Sequence, residues 1–167
     1  MLSIVIPVYN EEENLNSVIE ELLENIDTQS PYEIIFVDDS SDDNTFLNIK
    51  AINLQNNNIK ILRLARRSGS HIATKAGIDA SSGDKLLVIS GDGQEDPALI
   101  KDMISNIADG FDIVWGVRDV REENLFSRLV TKIFYKGLVR FTKNTTNYSV
   151  DISNADFYML GLSLIHI

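Results

Sequence analysis

The hydrophobic positions of this chain alternate between two periods. SIVIPV (3–8), EIIFV (33–37), KILRL (60–64), KLLVIS (85–90) and FDIVWGV (111–117) are short apolar runs set off by turn residues, which predicts five buried strands. Between the first two, Leu15, Val18, Ile19, Leu22, Leu23 and Ile26 recur at helical spacing. Glu11–Glu13 stand near the amino end of that helix, where its dipole favours carboxylates. A weaker helical pattern covers 44–54, and Ala73, Ala76, Gly77 and Ala80 give a third helix a small-residue face. Asp96 and Pro97 predict a cap and first turn for a helix over 97–108, and a longer helical pattern runs over 124–142. Strand–helix alternation at this spacing predicts an α/β fold, a mostly parallel sheet with helices on both faces.

Composition narrows this picture. The 167 residues suit one domain, or one domain cut short, and 44% apolar with 24% charged is ordinary for a globular chain. The absence of cysteine excludes disulfide scaffolds and thiolate metal sites. A net charge of −10 argues against general nucleic-acid binding, which needs a basic footprint. That charge is unevenly placed: residues 1–60 hold 12 acidic and 2 basic side chains, whereas 118–167 hold 5 and 7. No apolar stretch reaches the roughly 20 residues of a membrane span, and an amino terminus that runs directly into a strand-like segment leads one to expect no signal peptide.

Ligands of parallel α/β sheets bind beyond the carboxyl ends of the strands, so the loops there are the place to look. Four are rich in polar chemistry: Pro7-Val8-Tyr9-Asn10-Glu11, Asp38-Asp39-Ser40-Ser41, Ser90 to Pro97, and Arg118. Neither a P-loop nor a GxGxxG follows strand one, which disfavours NTPase and dinucleotide readings. Asp92, flanked by Gly91 and Gly93, suits a hard cation such as Mg²⁺ or Mn²⁺ that shares its shell with water and phosphate oxygens. The glycines allow a phosphate to approach the backbone. The plain alternative is a solvated turn.

Taken in order, IVIPVYNEEENL (4–15), EIIFVDDSSDDNT (33–45), the GSHxAxxAG-like stretch at 69–77, GDGQEDP (91–97) and IVWGVR (113–118) form a more specific set. Over roughly residues 2–160 the chain resembles family 2 glycosyltransferases of the GT-A fold. It looks most like the polyprenol-phosphate branch, similar to dolichol-phosphate mannose synthases and bacterial undecaprenyl-phosphate glucosyltransferases. The resemblance implies that Pro7, Tyr9, Glu11, Val37 and Asp39, with Gly91 and Asp92, bind the nucleotide sugar. A carboxylate at Asp39 can accept from the imide N–H of uracil or guanine, and Tyr9 can cover the base or simply pack at the strand end. Asp38 is free to cap its loop. The family's metal motif, Asp-x-Asp followed by Gln, reads Ser90-Gly91-Asp92-Gly93-Gln94 here, with serine in place of the first acid. Asp92 and Gln94 are the implied metal ligands, and Glu95 and Asp96 fit the start of the next helix. Arg118 matches an arginine placed near phosphates, or else pairs with Asp92 or Asp119. Asp156 in NADFYML matches a Gly-Asp-Phe-Arg-like segment, with Ala155 and Tyr158 replacing the glycine and arginine.

The segment 125–143 holds five basic residues, Arg128, Lys132, Lys136, Arg140 and Lys143, and no acidic one. As a helix it would be apolar on one side and cationic on another, which suits an anionic membrane surface, or else a solvated helix packed on the sheet. By the resemblance, Arg128 meets the acceptor phosphate. The expected activity is therefore inverting transfer of a hexose from a UDP- or GDP-sugar to a polyprenyl phosphate, with Mg²⁺ or Mn²⁺, by a protein peripheral on the cytoplasmic face of the membrane. The catalytic residues would be Asp92, Arg118 and Asp156, with neither His71 nor His166 required. The alternatives are a saccharide or other soluble acceptor, or a catalytically impaired nucleotide-sugar binder. The domain is expected to span 1–160 and to lack its carboxyl-terminal part, with 161–167 as an apolar tail.

Overall fold

A computed structural model describes residues 1–116 and 157–161. The predicted helix 125–143, Arg118, Arg128, Asp156 and residues 162–167 lie outside the described residues. Among the described residues, ten elements follow in order: β1 (Leu2–Val8), α1 (Leu15–Asn25), β2 (Tyr32–Asp38), α2 (Thr45–Asn53), β3 (Ile59–Arg63), α3 (Ser70–Asp79), β4 (Lys85–Val88), α4 (Leu99–Ala108), β5 (Ile113–Trp115) and β6 (Tyr158–Gly161). The strands form one sheet in the order β3-β2-β1-β4-β6-β5. β3, β2, β1 and β4 are parallel, while β6 runs antiparallel to both β4 and β5. The sheet is thus mostly parallel, as the alternation predicts.

Burial explains why the central strands read as unbroken apolar runs. Ile4, Ile6, Ile34, Phe36 and Leu87 face one layer, where α1, α2 and α4 supply Leu15, Leu22, Ile49, Ile100 and Met103. Val5, Ile35, Val37, Leu86 and Val88 face the other, covered by α3 through Ala73 and Ala76. A strand packed on both faces has no solvent side to mark with polar residues. The small-residue face of α3 is a steric requirement. A Cβ on Gly77 would stand 2.3 Å from Val5 Cγ1 and 3.1 Å from Val37 Cγ2.

α1 begins at Leu15, where the helical spacing starts, and Glu11–Glu13 lie in the turn before it. Other boundaries differ from the sequence expectation. α4 begins at Leu99; Asp96 caps the preceding turn by accepting the Ala98 N–H at 2.9 Å. β5 is only three residues long. Strand β6 has no counterpart among the predicted strands, and the expected domain end at 160 falls inside it. Four residues with no alternation are too short a pattern to separate from an apolar tail.

At the amino-terminal edge of the sheet a buried carboxylate organises three strands. Glu33 Oε1 accepts from Ser3 Oγ at 2.5 Å and from the Ser82 N–H at 2.6 Å, and Oε2 lies 2.5 Å from Lys60 Nζ. Ser3 Oγ in turn accepts the Gly83 N–H at 2.8 Å. Burial pushes the Glu33 carboxyl upward, but the Lys60, Ser3 and Ser82 hydrogen bonds outweigh it and hold the group below its ordinary value of 4.5.

Two outcomes follow from this packing. A depressed native carboxyl contributes stability above its unfolded value and loses it as pH falls through the native one. Unfolding free energy should therefore drop as pH falls below the ordinary carboxyl value of 4.5, and Glu33→Gln should flatten that drop; an equal pH dependence of the urea-derived stabilities would contradict it. Gly77→Ala should cost about 1–3 kcal/mol by forcing α3 away from β1, read as a lower urea midpoint at unchanged slope.

Candidate active site

The register of β1 and β2 sets the site. Val8 pairs with Asp38, so both strands end level and their loops leave side by side. Asp39 continues the ladder for one residue, its N–H donating to the Val8 carbonyl at 2.9 Å. Beyond that point side chains replace the backbone ladder. The Asn10 N–H donates to Ser41 Oγ at 3.0 Å, and Asn10 Oδ1 accepts the Asp42 N–H at 2.9 Å. The Glu11 N–H donates to Thr45 Oγ1 at 2.8 Å and the Glu12 N–H to Asp43 Oδ2 at 3.2 Å. Glu12 Oε2 takes the Asn44 N–H at 2.9 Å. Asp43 is pushed up by partial burial but held lower overall by Thr45 and by the backbone N–H groups it accepts. Asn10 and Ser40 adopt left-handed backbone, with φ of 55° and 64°. This conformation costs a residue bearing a Cβ about 1–2 kcal/mol and persists because five cross-loop bonds determine it. The acidic run DDSSDDNT is therefore mainly a loop staple.

Asp38 and Asp39 have separate duties. Asp38 is fully buried; its Oδ1 caps the loop by accepting the Ser41 N–H at 3.0 Å, and its Oδ2 lies 3.2 Å from Arg63 Nε. Asp39, 4% exposed, turns to the α3 side, where its two oxygens accept the Ser68 and Gly69 N–H groups, each at 2.7 Å. This ties the loop after β3 to the end of β2 and fixes the start of α3.

A cleft of about 320 Å³ opens over these loop ends, lined by Pro7, Tyr9, Glu11, Asp39 and Ser90 together with Arg67, Gly69, Ser70 and Ala73. The Arg67 guanidinium lies 4.0 Å above the centre of the Tyr9 ring, and Tyr9 Oη donates to Asp42 Oδ2 at 3.3 Å. A cleft of the same volume at the opposite edge of the sheet is lined by Leu2, Asp27, Tyr32, Asp84 and Ile104 among others. The first lies at the carboxyl ends of parallel strands and gathers polar groups from four loops, the arrangement that serves ligand binding in this class of sheet.

Four of the expected nucleotide-binding residues, Pro7, Tyr9, Glu11 and Asp39, meet in this cleft. Val37 does not: it is fully buried against Gly77 of α3, because its place on β2 points it into the core. Gly91 is buried too. A Cβ there would stand 2.5 Å from Val8 Cγ1, so close packing on β1 itself requires a glycine. Asp92 and Gln94 occupy the adjoining turn, where Asp92 Oδ1 accepts the Gln94 N–H at 3.1 Å. Among the described residues no three His, Cys, Asp or Glu side chains converge as a protein-built metal cage would require. One carboxylate, with the Ser90 hydroxyl nearby, fits a cation held chiefly by ligand phosphates and water. His71 is exposed on α3, outside the cleft. Arg67 was missed. The signal available was the rule applied to the other loops, since Arg66–Ser70 follow a parallel strand as they do.

The family profile described as Glycosyl transferase family 2 matches residues 3–164. An uncharacterized glycosyltransferase of Synechocystis sp. is 40% identical over 167 residues, covering 99% of this chain and 51% of that protein. The undecaprenyl-phosphate 4-deoxy-4-formamido-L-arabinose transferase of Yersinia enterocolitica is 38% identical over 144 residues, covering 84% and 44%. Among solved structures, the mannosyltransferase of Pyrobaculum calidifontis in complex with GDP-Man and Mn²⁺ superposes with a TM-score of 0.64 at 15% identity, covering 96% of this chain and 44% of that one. The chain spans about half the length of the curated relatives it matches. A sheet of this order, a carboxyl-edge cleft walled by the first two strand loops and a family match over almost the whole chain agree: the chain belongs to glycosyltransferase family 2 and has the GT-A fold.

Proposed function

We propose that this chain is the donor-binding part of an inverting glycosyltransferase that moves a hexose from a UDP- or GDP-sugar to a polyprenyl phosphate at the cytoplasmic face of the membrane. The observation that carries this reading is the cleft that joins Tyr9, Glu11, Asp39 and Ser90 beside the Asp92 turn. Tyr9 offers an aromatic wall for a base, and each Asp39 oxygen keeps a lone pair for a base N–H after accepting one backbone bond. Asp92, with Gln94 beside it, would hold Mg²⁺ or Mn²⁺, which when bound offsets the charge that develops on the leaving diphosphate. The Mn²⁺ in the Pyrobaculum mannosyltransferase complex supports that role.

The acceptor side rests on the relatives that are undecaprenyl-phosphate transferases and on the basic segment 125–143. In the reaction, the bond from the anomeric carbon to the donor diphosphate breaks. An acceptor phosphate oxygen forms the new bond from the opposite face. That oxygen is already ionised near neutral pH, so the step asks for orientation rather than a general base. Arg118 and Arg128 are the residues proposed to orient it, and Asp156 is proposed to face the reacting centre.

Calorimetric titration with UDP- and GDP-sugars, with and without Mn²⁺, tests the donor side. Mn²⁺ should tighten donor binding by about tenfold or more, worth ~1.4 kcal/mol. Asp92→Ala should abolish that gain while leaving metal-free binding in place. A gain that survives Asp92→Ala would remove this residue from the metal. Partitioning onto anionic vesicles tests the acceptor side; no binding at low salt would favour a saccharide or other soluble acceptor.

A further inference from the structure

Two groups that would receive a nucleobase are both engaged by one short loop. The Arg67 guanidinium, planar and about the width of a pyrimidine ring, lies 4.0 Å from the Tyr9 ring centre, at the distance of a stacked partner. The next two N–H groups, of Ser68 and Gly69, donate to the two oxygens of Asp39, as an imide N–H would. Arg67, Gly69 and Tyr9 line the same cleft, so the stacked face belongs to the cleft wall and not to an outer surface. The two attachments differ in strength. Each Asp39 bond is charge-assisted and nearly buried, whereas the cation–π contact is made by an exposed side chain. Gly69 adds a backbone turn, with φ of 93°, immediately before α3. The loop is thus pinned at 68–69, and Arg67 is its free arm.

From this geometry we infer that Arg67 is a placeholder for the nucleobase: its guanidinium covers the face of Tyr9, and donor binding exchanges the cation for the base while Asp39 keeps the loop pinned. The role rests on the nucleotide-sugar reading above and adds a self-occluding step to it. Keeping Tyr9 covered shields an aromatic face in an acidic cleft. It also sets a threshold that a ligand without a stacking base does not overcome. Exchange requires that the stack be lost on binding, so removing it in advance should help the base and not hinder it.

Uridine and guanosine, which carry no phosphate for Arg67 to attract, are the appropriate probes. Arg67→Ala should bind whichever nucleoside matches the site about two- to fivefold more tightly than the unsubstituted chain, the equivalent of one exposed cation–π contact. In a Tyr9→Leu background the same substitution should give no gain, since the stack is already absent. Thermal melts of the three variants report whether each is folded. An independent readout is the Arg67 Nε–Hε resonance, which should carry a ring-current shift that is lost when UDP or GDP is added. Weaker or unchanged nucleoside binding by Arg67→Ala would overturn the placeholder role and make Arg67 a direct ligand or a bystander. So would a gain that persists without the Tyr9 ring. Failure of the unsubstituted chain to bind either UDP or GDP would overturn the nucleotide-sugar reading itself, and this role with it.

Discussion

The site depends on one nearly buried carboxylate that, among the described residues, is held by backbone N–H groups. Asp39 is 4% exposed and accepts two backbone N–H groups at 2.7 Å, from Ser68 and Gly69. Bonds of this charge-assisted kind contribute about 1.5–3 kcal/mol each, and the amino end of α3 adds a favourable dipole. Without them an ionised carboxylate at this depth would be costly. With them, the end of β2, the loop after β3 and the start of α3 become one rigid frame. Everything proposed for the cleft, the Tyr9 wall included, is positioned by that frame. It also explains why two adjacent aspartates are not interchangeable: Asp38 faces the α1 layer and closes its own loop, while Asp39 faces α3 and the cleft.

The fold supports this frame through close approach. Gly77 brings α3 onto β1 and β2, and Gly91 brings the loop after β4 onto Val8. These two contacts draw the strand ends and their loops into one cleft. At the other edge of the sheet, Glu33, Ser3, Lys60 and the 82–83 backbone perform the equivalent task with buried polar bonds. The sheet is thus fastened chemically at both ends and by apolar packing between them.

How much of this was legible in the amino-acid sequence depends on the range of the interaction. Apolar periodicity reports burial, so the four parallel strands and the helices between them could be placed from it. The small-residue face of α3 could also be read, because Ala73 and Gly77 are spaced one turn apart. Strand β6 could not, since four residues carry no period. Nor could the loop staples, because the bonds from Glu11 to Thr45 and from Glu12 to Asp43 join positions more than thirty residues apart. Of the residues the family resemblance names, Pro7, Tyr9, Glu11 and Asp39 line one cleft, whereas the side chain of Val37 lies in the core. It said nothing of Arg67, whose significance appears only when its guanidinium is found on the ring of Tyr9.

Donor binding is proposed at the carboxyl edge of the sheet and not in the cleft of equal size at the amino edge. Amide chemical-shift mapping on the isotope-labelled chain, titrated with UDP and with GDP, tests it most directly. Shifts should be confined to Tyr9–Glu11, Asp39, Arg67–Ser70 and Ser90–Gln94 for the nucleotide that binds. Shifts centred on Leu2, Asp27, Tyr32 and Asp84 instead, or no shifts with either nucleotide, would contradict it.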